Sequence, residues 1–104
     1  MNLDNLEYIS IKEQKTGFPK HFHETFCISL IFEGIEQIDF GHQNIFSEKG
    51  SLTITNPYEI HSNPLLDVLC KTQFDTIYIS KDLMKYLFNG KNMYFINPPC
   101  LLCI

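Results

Sequence analysis

The sequence has 104 residues and an apolar share of 44%, which describes one globular domain and excludes both a second core and a disordered chain. No apolar run reaches the ~18 residues of a membrane-spanning helix, and the N-terminus lacks the basic and apolar regions of a secretion signal, so a cytoplasmic protein without membrane contact is predicted. The net charge is −4 and all eight basic residues are lysines. Because DNA binding uses clustered lysine and arginine, these residues by themselves are not expected to bind nucleic acid.

The first half of the chain is predicted to consist of strands. Leu6–Lys12 alternates between apolar and polar residues, as a half-buried strand does. Lys15–Pro19 reads as a turn, and Thr25–Phe32 as an apolar strand buried on both faces. Glu33-Gly34 is expected to turn this strand into Ile35–Phe40, so that the two strands form a hairpin.

Shorter strands are predicted to follow, separated by turn residues. They cover Asn44–Phe46 and Ser51–Thr55, after which Asn56-Pro57 interrupts the strand and Glu59–Ser62 resumes it. Cys70–Ile79 is the last long β segment. Many short strands at regular spacing are typical of a closed sandwich or barrel.

One helix is predicted near the end of the chain. Ser80 is a suitable N-cap for Lys81–Phe88, and Asn89-Gly90 ends the helix. Leu83 and Leu87 lie on its apolar stripe, with Tyr86 between them. The prediction is therefore an all-β domain with one short C-terminal helix.

Three histidines are the strongest functional signal. In an extended strand alternate side chains share a face, so His21 and His23 would point the same way, roughly 7 Å apart. The same period continues to Cys27 and Ser29. If His61 lies on a strand opposite, three imidazoles and a thiol would line one cavity.

This cavity could hold a metal ion or a small molecule. His21, His23, Cys27 and His61 are a chemically sufficient ligand set for zinc or another divalent transition metal. In a ligand pocket the same groups would be hydrogen-bond partners in an apolar barrel, and Tyr8, Ser29 and Glu59 are further candidates. A third interpretation is that no ligand binds, and that the histidines form hydrogen bonds with backbone groups or lie exposed at the rim of the barrel.

The spacing of these residues resembles the cupin superfamily. The first cupin motif is His-x-His, then a Glu after three or four residues and a Gly after about six more. Here it reads His21-Phe22-His23, with Cys27 at the Glu position, and then Gly34. The second motif runs from a Gly to a His eleven residues later, as Gly50 and His61 do, although Pro57 is displaced by one position.

Other segments resemble the N-terminal ligand-binding and dimerisation domain of AraC-type transcription regulators. Leu30–Gly34 is similar to that group's strand ending in Glu-Gly, and Phe74–Ser80 to its strand before a short helix. The resemblance is best over residues 18–88. It implies a jelly-roll β-barrel in a single sensor domain, residues 1–104, that binds a sugar or small organic acid as effector.

The resemblance also implies a homodimer and a DNA-binding half. No helix-turn-helix pattern occurs in these residues, and Pro98–Ile104 is still apolar at its end. The expectation is therefore that residues 89–104 begin a following helical dimerisation region and that DNA is bound by a further C-terminal domain. Leu83, Leu87 and this tail would then either pack on the barrel or form a dimer or interdomain surface.

Cys27 in place of the usual Glu removes the three-His-one-Glu metal set of the superfamily. The expectation is therefore a sensor without cofactor or catalytic activity. The alternative is a stand-alone metal-binding cupin enzyme of the oxygenase or isomerase type, which would need open metal positions and a general base.

Overall fold

The computed structural model describes residues 6–12, 17–64 and 72–96, which form eight strands followed by one helix. The strands make two antiparallel four-stranded sheets, with the orders β1-β8-β3-β6 and β2-β7-β4-β5. The elements are β1 Leu6–Ile11, β2 Phe18–His21, β3 Phe26–Glu33, β4 Glu36–Asp39, β5 Asn44–Ser47, β6 Leu52–Thr55, β7 His61–Asn63, β8 Gln73–Ile79 and α1 Lys81–Leu87. The predicted all-β fold with one short C-terminal helix is confirmed.

The first sheet is organised around its two long central strands. β8 pairs with β1 along its whole length, and β3 pairs with both β8 and β6. On β3, Ser29 lies opposite Thr76 of β8 and Thr53 of β6. These three short polar side chains are buried and therefore meet on the inner face of the sheet, since opposed residues share a face.

The predicted hairpin between β3 and β4 is wrong. β3 already has partners on both sides, β6 and β8, whereas β4 pairs with β5 and β7 in the other sheet. Gly34 has a φ of 76°, which glycine adopts without strain, and here the chain crosses between the sheets. The same crossing occurs after Asn56-Pro57, because β6 and β7 lie in different sheets; the expectation that one strand resumes is also wrong.

The region around the first histidines differs from the prediction as well. Phe18 and Pro19, expected in a turn, belong to β2, and the rest of that expected turn lies mainly outside the described residues. β2 is an edge strand, where a proline removes no ladder hydrogen bond. β2 ends at His21, so His23 does not share its strand. Residues 22–25 instead carry the chain from the second sheet to the first.

The helix begins as predicted. The Ser80 side chain accepts a hydrogen bond from the backbone N–H of Leu83 at 3.0 Å, which satisfies one of the free donors of the first turn. Leu83 and Met84 are buried, whereas Leu87 and Tyr86 are 57% and 77% exposed. The predicted apolar stripe thus packs on the barrel at Leu83 only.

The core lies between the two sheets. Its most buried apolar side chains come from both of them, with Ile31 and Phe74 on one side and Ile38 on the other. Among the described residues, no helix is long and apolar enough to cross a membrane.

Candidate ligand cavity between the sheets

A cavity of about 430 Å³ separates the inner faces of the two sheets. Its wall combines apolar side chains with histidines, hydroxyl groups and one carboxyl group. The lining residues are Ile9, Ile11, Phe18, Pro19, His21, His23, Cys27, Ser29, Glu36, Ile38, Thr53, Thr55, His61, Asn63, Phe74, Thr76 and Tyr78. Among the described residues of this lining there is no lysine, and the chain has no arginine. The volume suits one small molecule.

The three predicted histidines form one cluster in the wall of this cavity. Strand pairing places His21 of β2 directly opposite His61 of β7, and their ring centroids are 4.3 Å apart. The ring of His23 lies 4.8 Å from that of His21 and 5.5 Å from that of His61. The structure therefore brings together what the sequence predicted, although by strand pairing and not by alternation along one strand.

Backbone contacts orient two of these rings. Nδ1 of His21 lies 2.5 Å from the carbonyl oxygen of Pro19, and Nδ1 of His61 lies 2.9 Å from that of Glu59. A carbonyl oxygen can only accept, so each Nδ1 carries the hydrogen and each Nε2 keeps its lone pair in the neutral ring. Burial, together with the neighbouring histidines, lowers the pKa of His23 and His61, which favours the neutral form.

The donor set fits a metal ion. A ring nitrogen from each of the three histidines lies within 4.8 Å of the other two, and Zn–N bonds of about 2.0 Å would require these nitrogens to move closer together. The backbone carbonyls that hold Nδ1 are typical partners of metal-binding histidines. Cys27 lines the cavity but does not belong to this group. Burial first, and the Glu36 carboxylate second, raise the pKa of the Cys27 thiol to about 12.

Glu36 is a cavity residue that the sequence analysis missed. Only 4% of its surface is exposed, and burial raises its pKa to about 7. A signal was present, because Glu36 alternates with Ile38 on β4 and shares its inward face. The residue was overlooked since a glutamate in an alternating strand is usually taken for a solvent-facing one.

Hydroxyl groups form another part of the wall. Ser29, which the sequence predicted, has its Oγ 2.8 Å from Oγ1 of Thr76, and Thr53 and Thr55 are also buried in the lining. Thr53 and Thr55 alternate along β6, and Thr76 alternates with Phe74 and Tyr78 along β8, a pattern that was visible in the sequence. Tyr78 adds a phenol 5.2 Å from the His23 ring, measured between centroids.

Two predicted site residues lie elsewhere. Tyr8 is 60% exposed and donates a hydrogen bond to Asp75 on the outer face of the first sheet, because alternation along β1 places Ile9 and Ile11 inside. Glu59 does not line the cavity: its Oε1 accepts from the backbone and side chain of Asn56 at 3.2 and 3.3 Å.

The sequence matches a protein family described as AraC-like ligand binding domain over residues 5–63. No curated protein sequence matches the chain. Among solved structures, a cupin-2 domain containing protein from Shewanella frigidimarina is similar with a TM-score of 0.63 and 20% identity, over 76% of this chain and 74% of that one.

Two further solved structures have the same kind of similarity. KdgF from a Halomonas species has a TM-score of 0.59 and 16% identity, with 77% of this chain and 75% of that chain covered. A candidate mannose-6-phosphate isomerase from Ralstonia eutropha has a TM-score of 0.61 and 13% identity, with 77% and 79% covered. At these identities the comparison establishes a cupin fold.

Proposed function

This chain belongs to the AraC-like ligand-binding domain family, and from that premise we propose that it senses a small effector for an AraC-type transcription regulator. The observation that carries the proposal is the cavity of about 430 Å³ between the sheets. It has apolar walls and a few convergent polar groups, which is the usual composition of a small-molecule site. No catalytic activity forms part of this proposal.

The histidine cluster is the proposed recognition element for the effector. With Nδ1 held by a carbonyl, His21 and His61 each keep one ring nitrogen that can accept a hydrogen bond. Ser29 and Cys27, also predicted from the sequence, lie in the same lining, whereas the predicted Tyr8 and Glu59 do not. The sugar expected from the sequence would find suitable partners here, whereas a small organic acid would find no lysine among the described lining residues to pair its charge.

A cavity-filling variant tests the site. Thr53→Phe would place a large side chain into the cavity, and Ile54→Phe, one position along β6, is the matched control because Ile54 does not line it. Binding of a candidate effector is measured by thermal stabilisation. The proposal requires that Thr53→Phe abolishes this stabilisation and that Ile54→Phe retains it. Equal stabilisation of both variants would place the effector elsewhere.

The regulatory half of the proposal concerns the full-length protein, in which DNA would be bound by a separate domain. An effector can change DNA affinity only as far as its own affinity differs between the two states. The test is an operator-binding titration of the full-length protein with and without effector. Unchanged DNA affinity at saturating effector would reject the sensor function.

We also propose a homodimer, because five large apolar side chains of the described residues beyond the barrel are exposed, Phe88 at 39% among them. Leu87 and Tyr86 lie on α1, and Tyr94 and Ile96 follow it with 68% and 83% of their surface exposed. The expected result of light scattering is a dimer whose dissociation constant rises for Leu87→Asp. Lys85→Asp, on an exposed position of the same helix, is the control, and a monomeric wild type would disprove the proposal.

A metal-binding cupin is the second candidate function, favoured by the three ring nitrogens within 4.8 Å of one another. A bound divalent metal would supply Lewis-acid chemistry, and His21, His23 and His61 would hold it. The test is metal analysis of the protein purified without chelator. Stoichiometric metal that is lost in His21→Ala and kept in His42→Ala, a histidine outside the cavity, would establish this function; metal-free protein would reject it.

A further inference from the structure

The cavity contains one acidic group whose partner is missing. Glu36 is 4% exposed and lines the cavity from β4. Among the described residues its carboxyl group has no hydrogen-bond partner and no ion pair, and the only cause of its raised pKa is burial. By contrast, the buried hydroxyl groups of Ser29 and Thr76 are hydrogen-bonded to each other.

A carboxylate this deeply buried without a protein partner is unfavourable, because little water can solvate its charge. The Glu36 oxygens still reach the cavity, since among the described residues no fully buried side-chain oxygen lacks a hydrogen-bond partner. Such a group either takes up a proton or receives a donor from a bound molecule. The raised pKa of Glu36, about 7, means that in the empty cavity its neutral and ionised forms have similar populations near neutral pH. The described residues of the protein thus leave the Glu36 carboxyl group available to a bound molecule.

The other titratable groups around the cavity do not neutralise Glu36. Cys27 on β3 and Tyr78 on β8 have pKa values raised to about 12, so both are neutral donors. His61 on β7 and His23 after β2 have lowered pKa values, and His21 shares their cluster. β1 and β6 contribute only isoleucine and threonine side chains to the lining.

We propose that the effector carries a protonated amine, which Glu36 binds as a carboxylate inside the cavity. This inference rests on the proposed function, since it assigns a ligand class to the same site. An ammonium group is a compact charge with several donors, and the described part of the lining holds no lysine that would repel it. Binding of the cation would keep Glu36 ionised and so remove the cost of its burial.

The remaining wall indicates the rest of the ligand. Ile38 and Phe74, both buried in the core, together with Ile9 and Ile11 of β1, provide an apolar surface in the lining. A small apolar body with one amine, such as 2-phenylethylamine, therefore matches the site. Its neutral counterpart 2-phenylethanol has the same body with a hydroxyl group, and 3-phenylpropanoate carries the opposite charge.

The experiment measures binding of these three probes to the full chain by isothermal titration calorimetry at pH 7.5. Three proteins are compared: the wild type, Glu36→Gln and Glu48→Gln. Glu36→Gln keeps the shape of the side chain and removes its charge, and Glu48→Gln makes the same change at an exposed position. Circular dichroism verifies that each variant is folded.

The amine is expected to bind at least about tenfold more tightly than the alcohol, the scale of a hydrogen bond to a charged group. This preference should disappear in Glu36→Gln and persist in Glu48→Gln, and the carboxylate should bind least. If alcohol and amine bind equally, or if Glu36→Gln keeps the preference, the amine inference is overturned while the cavity remains a ligand site. If no probe binds the wild type, the amine inference is overturned, while ligand binding at the cavity is decided separately by the comparison of Thr53→Phe with Ile54→Phe.

Discussion

The side-chain amide of Asn56 binds both backbone groups of Phe95. Its Nδ2 donates to the carbonyl oxygen of Phe95 at 2.8 Å, and its Oδ1 accepts from the backbone N–H at 2.8 Å. Asn56 has no exposed surface and also donates to Glu59, two residues before His61. One side chain thus joins the segment that leads to the histidine cluster with the segment that follows the helix.

Asn56→Ala is expected to destabilise the protein by about 1–3 kcal/mol, because it leaves the half-buried backbone groups of Phe95 without partners. Asn44→Ala is the control, since Asn44 is exposed and accepts only a surface hydrogen bond from Gln37. Urea unfolding measures both changes. A loss below about 0.5 kcal/mol for Asn56→Ala, the scale of an ordinary surface substitution, would show that this contact does not hold the two segments together.

Glu36 is expected to make stability fall as pH rises. Its folded-state pKa of about 7 exceeds the ordinary value of 4.5, so the folded protein binds more protons than the unfolded one between these values. Its contribution is complete below pH 4.5 and is lost as pH rises through 7, on the order of 3 kcal/mol in total. The measurement is urea unfolding from pH 5 to 8, where Glu36→Gln should lack this decline; parallel curves for wild type and variant would contradict it.

The histidines are expected to change the pH dependence of stability in the direction opposite to that of Glu36. Burial lowers the pKa of His61, so the unfolded protein binds more protons just below pH 6.5. Stability from this residue is therefore present above pH 6.5 and lost as pH falls through the folded pKa. Proton NMR titration of the metal-free protein should give His61 a pKa below 6.5, and His61→Gln should lose less stability on acidification. A His61 pKa above 6.5 would disprove this.

The hydrogen bond between Ser29 and Thr76 predicts non-additive effects. Thr76→Val leaves a buried Ser29 hydroxyl without its partner and should cost about 1–3 kcal/mol. Adding Ser29→Ala removes that unsatisfied hydroxyl, so the double variant should be less destabilised than the sum of the two single variants. Urea unfolding of all four proteins completes this cycle, and strict additivity would mean that the 2.8 Å contact has no energetic role.

Local patterns in the sequence predicted most elements correctly. Alternation placed β1 and β8 within a few residues of their observed bounds, and Ser80 was recognised as the helix cap. The pairing of strands was harder to predict from the sequence. β3 and β4 are adjacent in sequence and separated by a glycine, which favours a hairpin locally, but β3 pairs with β6 and β8 instead.

In the candidate site, too, some residues were predicted correctly from the sequence and others were not. His21, His23 and His61 were predicted to meet because their spacing resembles a known pair of motifs, and in the structure they do. Tyr8 was predicted on chemical suitability alone, and its strand parity directs it outward. Glu36 was passed over although its parity with Ile38 was visible, because a glutamate is usually found at the surface.

Residue type, period and spacing along the chain were enough to predict the β-rich fold, the family and the three histidines. The three-dimensional structure was needed to show that His21 and His61 face each other across paired strands. It also shows that Glu36 lies in the same cavity with no partner among the described residues. Both features depend on which strands pair and on which face of each strand turns inward. Those choices are made by contacts between residues far apart in the sequence.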